Sequence, residues 1–197
     1  MRLPPVTRAL LTACGLGYLL QLLSGDALLG RFALWPLDAG YAAPPFEPWQ
    51  LVSYAFLHGS LMHLAFNGFA LYMFGPEIER LLGPWRFVTY FVTCVVGAAL
   101  TQLAVLRVTG SPPVPTVGAS GGIFGLLLAF GLAWPRRRLV LVFPPIPMPA
   151  WLFVTLYGLI ELYLGVTGTE QGVAHFAHLG GMVAGFVLIL YWRVRSA

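Results

Sequence analysis

Apolar residues fall into six long runs, at residues 6–23, 61–82, 87–106, 117–134, 149–166 and 173–192. None shows the alternating pattern of a half-buried strand, and each approaches the roughly 20 residues that a helix needs to cross a bilayer. In lipid a segment must satisfy its own backbone hydrogen bonds, which makes each run a predicted transmembrane helix. The pattern therefore predicts an all-α membrane protein of six transmembrane helices, with residues 1–197 as a single membrane domain. Composition agrees: 58% of the residues are hydrophobic and 9% charged, against about 25% charged in soluble domains.

The first run follows Arg2 and Arg8 and has the outline of a secretory signal. It reads as the first span, because Ser24-Gly25-Asp26 is not a small-residue cleavage site and the later spans need an uncleaved start for their orientation. The residue 24–60 connection carries Phe32, Trp35, Tyr41, Phe46 and Trp49 among prolines. It suits either a segment in the outer interface or a proline-ordered surface loop. The prolines between 144 and 149 read as a cytoplasmic turn.

Charge sets the orientation. All eleven basic residues are arginines; with a cytoplasmic N-terminus nine fall inside and only Arg31 and Arg107 outside. That is the positive-inside bias, with both termini cytoplasmic. It also accounts for the +4 charge as an attraction to anionic lipid, so no nucleic-acid partner is implied. Cys14 and Cys94 lie inside apolar runs and read as small packing residues.

Polar side chains inside spans are costly and mark candidate chemistry. His63 and Asn67 sit at i and i+4 on one helical face; Ser120 opens the fourth run, His175 and His178 open the sixth, and Glu161 lies late in the fifth. Depth can be counted from the arginine closing each span: 16 residues for Ser120, 15 for His178 and 17 for His63. At the helical rise these are heights of roughly 24, 22 and 26 Å, one level in the outer half of the membrane, with Asn67 about a turn deeper. Gly118, Gly121, Gly122 and Gly125 around the serine, and Gly181 and Gly185 below His178, are small faces that invite close helix approach. If the two helices cross there, Ser120 and His178 come within reach for nucleophile activation. Singly, the serine reads as a packing residue, while the histidine reads equally as a partner for a carbonyl or as a functional group.

Three motifs together resemble the rhomboid intramembrane proteases over nearly the whole chain. His63-Leu64-Ala65-Phe66-Asn67 is similar to the family's H-x-x-x-N, Gly118-Ala119-Ser120-Gly121 to its G-x-S-G, and Ala177-His178-Leu179-Gly180-Gly181 running to Gly185 to its A-H-x-x-G-x-x-x-G. The resemblance implies a rhomboid-like bundle and an intramembrane serine endopeptidase that cleaves the transmembrane segments of single-span or other membrane proteins. Ser120 would be the nucleophile and His178 the base of a dyad without an aspartate, with Asn67 and His63 at the oxyanion. Phe124, where many members carry tyrosine, would stack on His178; Gly118, Gly121 and Gly181 would support the site. Gly75 to Gly83 with Glu79 resembles the family's turn at the inner end of the second span. Trp49 matches the first residue of its W-R motif, whereas Gln50 departs from the arginine and puts a supporting loop contact in doubt. The analogy gives His58 a loop-supporting role, Glu161 a role within the fifth span and that span the part of a gate. It implies no cofactor, a bacterial inner membrane, and nothing about oligomeric state. His175 takes no role and is expected to be partly exposed.

Three rival readings carry different expectations. A non-catalytic pseudoprotease that binds membrane clients should lack Ser120 or His178. A transporter should show an internal repeat, and none is readable. A zinc site of His58, His63, His175 and His178 lacks both H-E-x-x-H and a neighbouring carboxylate.

Overall fold

A computed structural model describes residues 2–37, 43–110, 114–140, 145–168 and 173–195. Its principal elements are α1 (Pro5–Ser24), α2 (Asp26–Phe32), α3 (Gln50–Ser53) with a 3-10 turn (Tyr54–Phe56), α4 (Leu61–Leu82), α5 (Pro84–Thr109), α6 (Ser120–Ala133), β1 (Arg138–Val140), β2 (Pro147–Pro149), α7 (Ala150–Thr167) and α8 (His175–Arg195). The six apolar runs thus become α1, α4, α5, α6, α7 and α8.

Four of these helices, α1, α5, α7 and α8, are long and apolar enough to cross a membrane. The other two differ for separate reasons. α4 has 22 residues but carries His63, Asn67, Glu77, Glu79 and Arg80. α6 has only 14, which is about 21 Å of helix against a hydrocarbon core of roughly 30 Å.

α6 lies at the centre: most of its residues are buried, including four glycines. Glycine decides who its neighbours are. A Cβ added at Gly181 of α8 would land on the Gly121 carbonyl, one at Gly122 on the Phe91 ring, and one at Gly125 on Cys94 of α5. Gly185 faces Tyr90 and Cys94 of α5, whereas Gly181 faces Gly121 of α6. α5 closes on α8 where Gly97 meets Ala184 and Gly180 meets Thr101. Close backbone approach of this kind replaces the hydrophobic drive that lipid cannot supply between helices.

α1 and α4 are joined by charge. The buried Glu79 carboxylate accepts hydrogen bonds from the Val6 and Thr7 N–H groups at 2.9 and 2.7 Å and from the Thr7 hydroxyl at 2.7 Å. It thereby satisfies orphan donors at the N-terminus of α1 and meets the positive end of its dipole. Gly83 ends α4 at φ 76° and Pro84 opens α5 directly, a tight reversal that uses a left-handed glycine and a proline with no N–H to lose.

The 24–60 connection is more regular than its prolines and aromatics suggest. It holds α2, α3 and the 3-10 turn; Tyr41 lies outside the described residues. Gln50 does not leave the loop unsupported. Its fully buried amide accepts from the Trp35 N–H at 3.1 Å and donates to the Pro45 carbonyl at 3.3 Å, while the Trp49 indole donates to the Arg31 carbonyl at 3.0 Å. His58 is buried, and its backbone exchanges two hydrogen bonds with the Gln21 side chain.

The proline-rich turn adds one short two-stranded ribbon to an otherwise helical fold. β1 and β2 pair antiparallel, with Arg138 opposite Pro149 and Val140 opposite Pro147. Proline is tolerated at such an edge because it gives up a single ladder donor. Pro144, where this stretch begins, lies outside the described residues.

Candidate active site

The segment before α6 is held from outside. Leu34 and Thr116 exchange backbone hydrogen bonds of 3.0 and 2.9 Å, and the Gly118 N–H donates to the Tyr54 carbonyl at 3.0 Å. Gly118 takes φ 121°, a backbone conformation open to glycine but not to residues with a Cβ. A Cβ there would also strike the His63 ring 2.7 Å away. The chain can then turn sharply, and Ser120 becomes the first residue of α6. Its N–H is one of the helix-terminal donors with no carbonyl to accept it within the helix.

Ser120 Oγ lies 2.7 Å from His178 Nε2. The imidazole is buried and fixed on its other sides. Phe124, one turn further along α6, stacks on it with centroids 4.3 Å apart and planes 6° from parallel. On the far side His178 Nδ1 lies 2.9 Å from Glu161 Oε2 of α7.

His63 and Asn67 stand across from the serine, around Gly118. The Gly59 N–H donates to His63 Nδ1 at 3.4 Å, so the neutral ring carries its proton on Nε2, the nitrogen turned toward Gly118. Asn67 is buried and its Nδ2 donor has no hydrogen-bond partner among the described residues. An unpaired buried donor of this kind costs free energy unless something else meets it. Ser120, His178, His63 and Asn67 line one cavity of about 1180 Å³.

Two residues depart from the sequence-based expectations. His175 is buried rather than partly exposed, and its Nδ1 lies 2.8 Å from Glu161 Oε2. Glu161 accordingly does more than support its own helix, and a carboxylate does neighbour the histidines. One carboxylate oxygen and one nitrogen of each ring lie within 4.8 Å of one another, a different group from the four histidines weighed for zinc. A carboxylate late in an apolar run, at the same end of the bundle as two histidines at i and i+3, was the available signal. What sequence could not supply was the rotation of α7 that turns it inward.

The rhomboid domain matches residues 45–195. The chain is 30% identical to the rhomboid protease GlpG of Serratia proteamaculans over 97% of its own length and 63% of that protein's. It is 26% identical to GlpG of Yersinia pestis, over 98% and 64%. To the mitochondrial rhomboid protein 1 of Saccharomyces cerevisiae it is 29% identical, over 75% and 42%. The chain thus spans less than two thirds of the length of each. With the rhomboid domain matched over most of its residues and four helices apolar enough to cross a bilayer, this membrane protein belongs to the rhomboid family.

Proposed function

We propose that the chain is an intramembrane serine endopeptidase that cleaves transmembrane segments of other membrane proteins. The observation that carries this reading is the 2.7 Å contact between Ser120 Oγ and His178 Nε2 beside an unpartnered Asn67 donor. The protein is read as one membrane domain of six spans, α4 and α6 included, with both termini cytoplasmic and a place in a bacterial inner membrane. The arginine distribution and the GlpG relatives support that placement. The motif resemblance assigns α7 the gate through which a substrate helix enters.

In the mechanism, Ser120 donates its proton to His178 Nε2 as Oγ attacks the scissile carbonyl. The carbonyl oxygen gains negative charge, which the Ser120 N–H, Asn67 Nδ2 and His63 Nε2–H would stabilise. His178 then passes the proton to the leaving amine, and an ester to Ser120 remains. Water from the cavity gives a proton to His178 and attacks the ester; the second half-reaction releases the new carboxyl end and restores the serine. Gly118, Gly121 and Gly181 serve this chemistry by letting the helices close around it, and Phe124 holds the ring plane. No cofactor enters the sequence of steps.

The test is co-expression with a panel of single-span membrane proteins, joined to labelling by a fluorophosphonate. The native protein should cleave at least one panel member and take the label at Ser120, and Ser120→Ala should do neither. Cleavage that survives Ser120→Ala, or native protein that binds clients while refusing the probe, would overturn the assignment.

A further inference from the structure

Glu161, His175 and His178 are three buried ionisable groups on two helices, and only His178 is used by the dyad. One carboxylate oxygen, Glu161 Oε2, faces both ring nitrogens, at 2.8 Å from His175 Nδ1 and 2.9 Å from His178 Nδ1. The histidines are three residues apart at the start of α8, which places both rings on the face turned toward α7.

The hydrogen-bond logic of the group is restrictive. An ionised carboxylate only accepts, so each ring must present an N–H to it. Both histidines are then protonated on Nδ1, and His178 is left with its lone pair on Nε2, facing the Ser120 hydroxyl 2.7 Å away. The other tautomer would point a proton at Ser120 and put two lone pairs face to face at Glu161. The carboxylate thus selects the one neutral form of His178 that can accept the serine proton, and it also faces the positive charge the ring carries after that transfer.

Resting on the proposed dyad, we infer that Glu161 is a positioning residue that makes it a Ser120–His178–Glu161 triad, with His175 anchoring the carboxylate from its other side. Glu161 touches no substrate and acts only through the imidazole. The anchor matters because a carboxylate held by one ring alone can rotate about its terminal torsion, while two N–H donors on one oxygen fix it. His175 Nε2 has no hydrogen-bond partner among the described residues, so the ring's described polar contact is the one to Glu161.

The experiment uses the full chain in liposomes and a cleavable single-span substrate. kcat, KM and the pH profile of kcat/KM are measured for the native protein, Ser120→Ala, Glu161→Gln, Glu161→Asp and His175→Asn, with thermal unfolding of each. Glu161→Gln keeps the shape and removes the charge; kcat should fall between about 10-fold and 100-fold at unchanged KM, and the acid limb of the profile should move. Glu161→Asp should retain more activity than Glu161→Gln although it fits the space less well, because the charge is kept. A merely structural carboxylate predicts the reverse order and an unmoved profile.

Native kcat in Glu161→Gln with inactive Ser120→Ala would overturn the triad and leave the dyad standing. Activity in Ser120→Ala would remove the dyad itself. If Glu161→Gln fails to fold, His175→Asn decides: a reduced kcat at unchanged KM supports the anchored triad, and a native kcat refutes it. Loss of native activity in excess chelator with recovery on adding zinc would also refute it, since the three groups would then be metal ligands.

Discussion

Substituting Gly181 by alanine tests whether helix spacing sets the alignment of the reacting groups. A Cβ at this position would strike the Gly121 carbonyl oxygen and sit 2.8 Å from its carbon and 3.2 Å from Gly121 Cα. Carbon atoms pack at about 3.5 Å or more, so α6 and α8 must part by at least about 0.7 Å. Ser120 adjoins Gly121 and His178 lies one turn before Gly181. The same displacement stretches the 2.7 Å Oγ–Nε2 contact toward roughly 3.4 Å, the outer limit of a hydrogen bond. Overpacking of this kind costs about 1–3 kcal/mol of stability, and a misplacement approaching 1 Å costs up to about 100-fold in rate. The assay is kcat at saturating substrate in liposomes, well below the unfolding temperature, with Gly15→Ala as control because a Cβ there meets nothing within 4 Å. Gly181→Ala should lose about 10-fold to 100-fold in kcat and Gly15→Ala nothing. Equal rates in the two variants would refute the claim that this contact aligns the pair.

Other perturbations have equally definite outcomes. Asn67→Ala should lower kcat by about 100-fold with little change in KM, as removal of an oxyanion donor does; a change confined to KM would assign Asn67 to substrate binding instead. Glu79→Gln weakens three hydrogen bonds at the start of α1 and should cost about 2–4 kcal/mol in unfolding experiments, while kcat measured on the folded fraction stays native. In the connection ahead of α4, burial, and secondarily His63, push the His58 imidazole down to about 4. A histidine whose folded value lies below its unfolded value of about 6.5 loses stability as pH falls from 6.5 toward 4. The unfolding temperature should therefore drop between pH 7 and pH 4.5, and His58→Gln should flatten that drop; parallel curves would show that other groups control the acid limit.

Hydrophobic run length read the helices well where lipid dictates them. α4 keeps the bounds 61–82, and α1 and α7 shift by one residue. α6 shortens to Ser120–Ala133 because the apolar residues ahead of it form an extended approach pinned to Leu34 and Tyr54, a tertiary effect without local signature. The short helices of the 24–60 connection escaped for a related reason: proline and aromatic residues give no periodicity, and Gln50 and Trp49 order that segment through the Arg31 carbonyl, distant in sequence. At the site, counting from arginines put Ser120, His178 and His63 at one depth, and they line one cavity. Glu161 had a role only within its own span and His175 none, since position in the sequence gives height along a helix but not the direction it faces.

The shortness of α6 has a consequence for the proposed hydrolysis inside a bilayer. A helix of 14 residues falls about 9 Å short of the hydrocarbon thickness, and in the proposed orientation the missing length lies above its serine-bearing tip. In that orientation solvent descends from the aqueous side through the cavity beside Ser120 without crossing acyl chains. On this reading the well exists because one helix stops early, and lengthening it would dry the proposed site.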